Sequence, residues 1–125
     1  MNENELSKII VNSFFTIHTQ LGPGLFESVY EEILHFELKK AGLFVDRQKA
    51  IPVIWDSVQL DLGFRADLVL NSKVLVEIKS IERIAPVHQK QVLTYLRLTG
   101  IKLGLLVNFN EALIKDGIQR IVNHL

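Results

Sequence analysis

Glu77 and Lys79 stand two residues apart in Lys73-Val-Leu-Val-Glu-Ile-Lys-Ser80, a stretch whose Val74, Leu75, Val76 and Ile78 otherwise read as a buried strand. Side chains along a strand alternate between faces, so Glu77 and Lys79 point the same way. An acid in such surroundings requires a partner, a metal or a wet cleft, because burying an unpaired charge is costly. Asp67, one predicted strand earlier, supplies a second carboxylate. Two acids and a lysine meeting at a sheet edge are a common means of holding Mg2+ against a phosphodiester while a water is activated.

Each piece has a plainer reading. A Glu-x-Lys on a strand is ordinarily a solvated ion pair, and Asp67 has Arg65 two residues away on the same face. Taken together, Asp67 and Glu77 lie on adjacent predicted strands joined by a short turn, so their side chains can meet across the pair. Like charges there repel unless a cation sits between them, and a metal accounts for both acids at once. Glu27 is a third candidate. It falls near a helix start, where negative charge is favourable on dipole grounds alone, but it also falls beside Val29, Tyr30 and Leu34 near the core-facing stripe. Glu31 and Glu32 read as surface residues. Gln91 and Tyr95 are spaced i, i+4 on one helix face, where an amide and a phenol would hold the lysine or a substrate phosphate in register. His88, one turn earlier, reads as an ordinary histidine, and histidine suits magnesium poorly.

The elements that must position these groups follow from periodicity. Leu6 to Gln20 carries apolar residues at Leu6, Ile9, Ile10, Phe14 and Ile17, one helix face. Leu21-Gly22-Pro23-Gly24 breaks it. Leu25 to Lys40 resumes through Phe26, Val29, Tyr30, Ile33, Leu34 and Leu38, and ends at Ala41-Gly42. Phe44 to Trp55 and Val58 to Leu70 form a hairpin around Asp56-Ser57. Asn71-Ser72 then turns into the strand Lys73 to Lys79. Pro86 opens a helix that runs to Thr99 before Gly100, with Val87, Gln91, Tyr95 and Leu98 along one side. Lys102 to Phe109 is a strand apolar enough for burial on both faces. Beyond Glu111, Asp116-Gly117 weakens a helix, whereas Ile118, Ile121 and Val122 suit a short edge strand. The order of helix, helix, three strands, helix and strand predicts an α/β layer arrangement.

At 125 residues with 48% hydrophobic content the chain has enough for one packed core, residues 1–125, and little for a second module. A specificity-supplying partner would therefore lie elsewhere. No apolar run is long enough for a membrane span, and Met-Asn-Glu-Asn-Glu is not a secretory leader, so a soluble cytoplasmic protein is expected. The absence of cysteine excludes disulfides, thiolate zinc sites and a cysteine nucleophile. Basic and acidic residues balance at 14 each, which argues against affinity for nucleic acid through long-range attraction to phosphate. A bound divalent cation weakens that objection by making the site locally positive.

Gly24-Leu25-Phe26-Glu27-Ser28-Val29-Tyr30 resembles the signature of the GxxExxY family, and Asp67 with Glu77-Ile78-Lys79 resembles the core of the PD-(D/E)XK nuclease superfamily to which that family is assigned. The resemblance runs from about His18 to the C-terminus and takes in His88, Gln91, Tyr95 and Asn108-Phe109-Asn110. It implies a restriction-endonuclease-like core of helix, three strands, helix and strand, with an extra N-terminal helix. It further implies that Asp67, Glu77 and the Ile78 carbonyl bind Mg2+ or Mn2+, that Glu27 contributes from its helix, and that Lys79 orients or activates the water. Gln91 with Tyr95 resembles the glutamine and tyrosine motif of the recombination-type branch, a substrate-binding role. One departure is plain: Ala66 stands where the superfamily's name has proline. The implied activity is hydrolysis of nucleic acid, with DNA the first expectation, by a protein that needs a second copy to cut both strands of a duplex at once. The alternative is a non-catalytic binding or partner subunit that keeps the fold.

Overall fold

The computed structural model describes residues 1–60 and 63–125 in full. Helix α1, Glu3–Leu21, starts three residues ahead of its apolar stripe because Asn2 and Glu5 form a reciprocal cap: the Glu5 N–H donates to Asn2 Oδ1 at 2.8 Å and the Asn2 N–H to Glu5 Oε1 at 3.1 Å. Its buried face is Leu6, Ile10, Phe14 and Ile17. Gly22, at φ 69°, ends it by donating its N–H to the His18 carbonyl. Helix α2 covers Glu27–Lys40, two residues shorter at its start than periodicity predicts.

Strands β1, Val45–Trp55, and β2, Val58–Leu70, form the expected hairpin. Asp56 and Ser57 both have positive φ, the two-residue turn whose twist matches an antiparallel pair. Asn71 and Ser72 repeat the device before β3, Val74–Lys79. Helix α3, Pro86–Thr99, carries the chain across to β4, Leu103–Asn108, which runs parallel to β3. A 3-10 turn at Ile114–Gly117 leads to β5, Ile118–Val122, antiparallel to β4. The short edge strand is thus where the sequence places it.

The sheet has five strands in the order β1-β2-β3-β4-β5. One face packs α1 and α2 through Leu68, Leu70, Val74, Val76, Ile78, Leu103, Leu105 and Val107. The other packs α3 through Val69, Leu75 and Leu106 against Val92, Tyr95 and Leu96. Residues of β3 therefore alternate between two cores, and Leu75, Glu77 and Lys79 belong to the α3 side.

Two helix faces differ from expectation. On α3 the buried stripe is Val92, Tyr95 and Leu96, while Val87 and Leu98 are exposed. On α2 the stripe is Tyr30, Leu34 and Leu38 together with Glu31, and Phe26 and Val29 face solvent. In both cases the apolar residues permit two neighbouring stripes, and the strands beneath select one. Among the described residues no helix is long and apolar enough to cross a membrane.

Candidate active site

The β2–β3 ladder ends at Leu68↔Val76. Beyond it β2 stays with β1, through Ala66, Arg65 and Phe64, while β3 stays with β4 as far as Lys79↔Asn108. The sheet opens into a fork, and the next residues in register at its apex are Asp67 and Glu77. Reciprocal bonds to side chains replace the ladder there. The Asp67 N–H donates to Glu77 Oε1 at 3.1 Å, and the Ile78 N–H donates to Asp67 Oδ2 at 2.8 Å. The short turn at Asn71-Ser72 sets this register, because shifting it by one residue would send the two acids to opposite faces.

The pair is electrostatically frustrated. Burial, followed by the facing Asp67 charge, pushes the Glu77 carboxyl up to about 8, and burial also raises Asp67, with the Glu31 charge adding to it. Lys79 lies on the same strand face, half-buried, and lowers both, yet it is locked to neither. The ion pairs among the described residues are Arg47 with Glu31 and Glu32, and Lys49 with Asp46. Above the pair, Tyr95 is pushed up to about 12 by burial and then by Glu77 and Asp67, which puts its neutral phenol in the field of both acids. Phe64 tilts against it with ring centroids 5.4 Å apart. Gln91 is half-buried one turn before Tyr95. His88 has a local task, accepting the Ala85 N–H on Nδ1 at 2.9 Å and so capping α3.

Among the described hydrogen bonds Glu27 has none to the pair. It is exposed, and its Oε2 accepts the Ser80 N–H at 3.2 Å. Glu27 opens α2, and its side chain meets the residue that follows β3. The rest of Gly24–Tyr30 serves the same junction. Tyr30, fully buried and stacked on Phe109 at 4.3 Å, donates its hydroxyl to the Gly22 carbonyl at 2.6 Å and accepts the Leu25 N–H at 3.3 Å. The Ser80 hydroxyl donates to the Leu25 carbonyl. From the other side, buried Asn108 holds both backbone groups of Ile81, and the Phe109 N–H donates to the Lys79 carbonyl at 2.9 Å. The residues immediately after Lys79 are clamped from two directions.

Tyr30→Phe tests that clamp. It leaves the ring stack in place but strands a half-buried carbonyl and weakens the tie to Leu25, so urea unfolding should show a loss of about 1–2 kcal/mol. No change would mean that the hydroxyl contributes nothing to the junction.

Periodicity missed two residues beside Asp67. Glu31, read as a surface residue, is 7% exposed and faces β1. Its Oε2 accepts from Arg47 Nε at 2.8 Å and its Oε1 from Gln48 Nε2 at 2.5 Å. Gln48 Nε2 also donates to Asp67 Oδ1 at 3.2 Å. A glutamate next to another glutamate on a helix gives no local sign of burial. Its partners lie 16 and 17 residues away.

Two hard oxygen donors whose mutual repulsion is only partly offset, with Lys79 nearby and in no ion pair among the described residues, suit a divalent cation. Among the described residues no three or more acidic or histidine side chains converge to hold a metal, so water and backbone carbonyls would complete the shell. Mg2+ accepts such a shell, since it commonly keeps several waters and takes only one or two carboxylates.

A mixed sheet with helices on both faces, a parallel β3-α3-β4 crossover and acids at the mouth of a fork define a restriction-endonuclease-like fold. A family model described as the PD-(D/E)XK nuclease superfamily matches residues 4–121, and the chain belongs to that superfamily. Comparison with curated proteins and with solved structures gives no match.

Proposed function

We propose that this chain is a divalent-metal-dependent nuclease that hydrolyses phosphodiester bonds in nucleic acid, with DNA as the first substrate to test. The observation that carries this reading is the Asp67–Glu77 pair at the β2–β3 fork, both acids frustrated, with Lys79 on the same side and in no ion pair among the described residues. Asp67, Glu77 and the Ile78 carbonyl would hold Mg2+ or Mn2+. When bound, such an ion supplies acidification of a water and neutralisation of charge at the phosphoryl oxygens. Lys79 places a positive group beside the nucleophile and the developing charge. Tyr95 and Gln91 line the α3 side and would contact the substrate backbone. Glu27 acts one step removed, by holding the Ser80 N–H and with it the end of the strand that carries Lys79. Within the superfamily, Gly24 through Tyr30 supports placement in the GxxExxY family. A cytoplasmic setting, and a second copy or a protein partner supplying specificity, belong to the same reading.

The balanced charge of 14 basic and 14 acidic residues favours a second reading, a non-catalytic binding or partner subunit. Retention of costly buried acids opposes it. Single-stranded, duplex and branched DNA, and RNA, incubated with wild type and Asp67→Ala in Mg2+ and in Mn2+, separate the two. The nuclease reading expects cleavage by wild type that EDTA and Asp67→Ala both abolish. Binding of any of these substrates without metal-dependent cleavage supports the second reading.

A further inference from the structure

Gln48 sits opposite Asp67 on β1, between the ladder pairs Arg47↔Leu68 and Lys49↔Ala66, in an unshifted register in which Gln48 and Asp67 are not themselves a ladder pair. Its φ is 52°, in the left-handed region that non-glycine residues avoid and that glutamine, lacking a short side chain to bond its own backbone, has no local reason to adopt. Strain of this kind persists where surrounding contacts over-determine it, and here they do. One amide nitrogen serves two carboxylates, Glu31 Oε1 at 2.5 Å and Asp67 Oδ1 at 3.2 Å. Glu31 is itself fixed, because Arg47 Nε takes its other oxygen and Arg47 Nη1 continues to Glu32. The Arg65 guanidinium donates to the Gln48 carbonyl at 3.1 Å, which holds the backbone in the same pose.

Asp67 is consequently pinned through both oxygens, Oδ2 by the Ile78 N–H and Oδ1 by the Gln48 amide. We infer that Gln48, anchored from behind by Glu31 and Arg47, is a positioning residue that fixes the rotation of the Asp67 carboxylate and so the direction in which its lone pairs meet an incoming cation. Such outer partners commonly tune a ligand without touching the metal. Arg47 offsets the Glu31 charge, so the arrangement brings an acid close to Asp67 while limiting the repulsion it adds. The inference about Asp67's orientation stands on the hydrogen bonds alone; its consequence for metal rests on the nuclease reading above.

Gln48→Gly is the discriminating variant, since glycine suits the left-handed backbone and removes the side chain that carries the amide. Two measurements are needed. Hydrogen exchange of the Ile78 amide in metal-free protein reports whether Asp67 still holds its acceptor pose, and Mn2+ titration reports the cation. The expected result is an Ile78 amide that exchanges about tenfold faster or more, with the melting temperature unchanged or higher, and Mn2+ affinity lowered about 10–100-fold. Glu31→Ala should give the same exchange effect, and the double variant no more than either single one, because the two residues act as a unit. Unchanged Ile78 exchange in Gln48→Gly overturns the positioning role whatever the metal does. Faster exchange with wild-type Mn2+ affinity overturns its relevance to the cation. Faster exchange in a protein whose wild type binds no Mn2+ leaves Gln48 as the positioner of Asp67 and removes the nuclease reading instead.

Discussion

Lys79→Ala should lower metal-dependent cleavage by at least about 10²–10³-fold, the range found when one preorganised stabiliser of transition-state charge is removed, while the protein keeps its fold and binds the cation. The fold should survive because Lys79 is half-buried, makes no ion pair among those described, and contributes to the clamp only through its backbone carbonyl, which alanine retains. Metal binding has two opposing contributions. Removing the ammonium takes a positive charge away from the ion, which favours binding, but it also raises the proton affinity of Asp67 and Glu77, which Lys79 now lowers. Near neutral pH these offset. Above about pH 8, where Glu77 has lost its proton, the first remains and the variant should bind Mn2+ as tightly as wild type or more so. Cleavage at the wild-type rate would deny the lysine any catalytic role.

The second large effect concerns stability, pH and metal together. The Glu77 carboxyl, with an ordinary value of 4.5, is held up to about 8 in the folded chain, chiefly by burial and then by Asp67. Between those values the folded state binds more protons than the unfolded one, so metal-free stability should fall as pH rises through that window and level off above it. Glu77→Gln mimics the protonated carboxyl: its amide oxygen can still accept the Asp67 N–H, and its NH2 can face the Asp67 carboxylate. In EDTA it should match wild type near pH 5 and exceed it at pH 8–9 by an amount on the order of a few kcal/mol. Asp67→Asn differs, because its NH2 must face either the Ile78 N–H or the Gln48 amide, both donors, and it should be destabilised by about 1–3 kcal/mol at any pH. Saturating Mg2+ should narrow the gap between wild type and Glu77→Gln, since an ion at 100 Kd stabilises the protein that binds it by about 2.7 kcal/mol. Thermal melts at several pH values, with and without Mg2+, check both variants. A Glu77→Gln variant that keeps the wild-type pH slope would show that Glu77 is not the source of it.

Much of this architecture was legible because the deciding signals are local. Asp56-Ser57 and Asn71-Ser72 fix two turns, the second sets the register that opposes Asp67 to Glu77, and Pro86 and Gly100 bracket α3. The two-residue spacing of Glu77 and Lys79 fixed their shared face. What escaped depends on contacts that no window of sequence contains. Glu31 is buried because Arg47 and Gln48 arrive from another element, and Gln48 reaches Asp67 through a backbone angle that its residue type does not favour. Glu27 was expected beside the metal, and its bond to the Ser80 N–H, which joins residues 53 apart, is of the kind that no local window shows. The apolar stripe of α3 was displaced by one residue, since Val87 and Leu98 fit the period as well as Val92 and Leu96 do and only the sheet beneath distinguishes them.

The central claim is that Asp67 and Glu77 share one divalent cation. Calorimetric titration of Mg2+ and of Mn2+ into wild type and Asp67→Ala at pH 7, repeated in two buffers of different ionisation enthalpy, tests it most directly. The account predicts saturable binding to wild type with release of most of one proton per ion, because Glu77 is still protonated at that pH, and no comparable binding to Asp67→Ala. Binding that is the same in both proteins would contradict it.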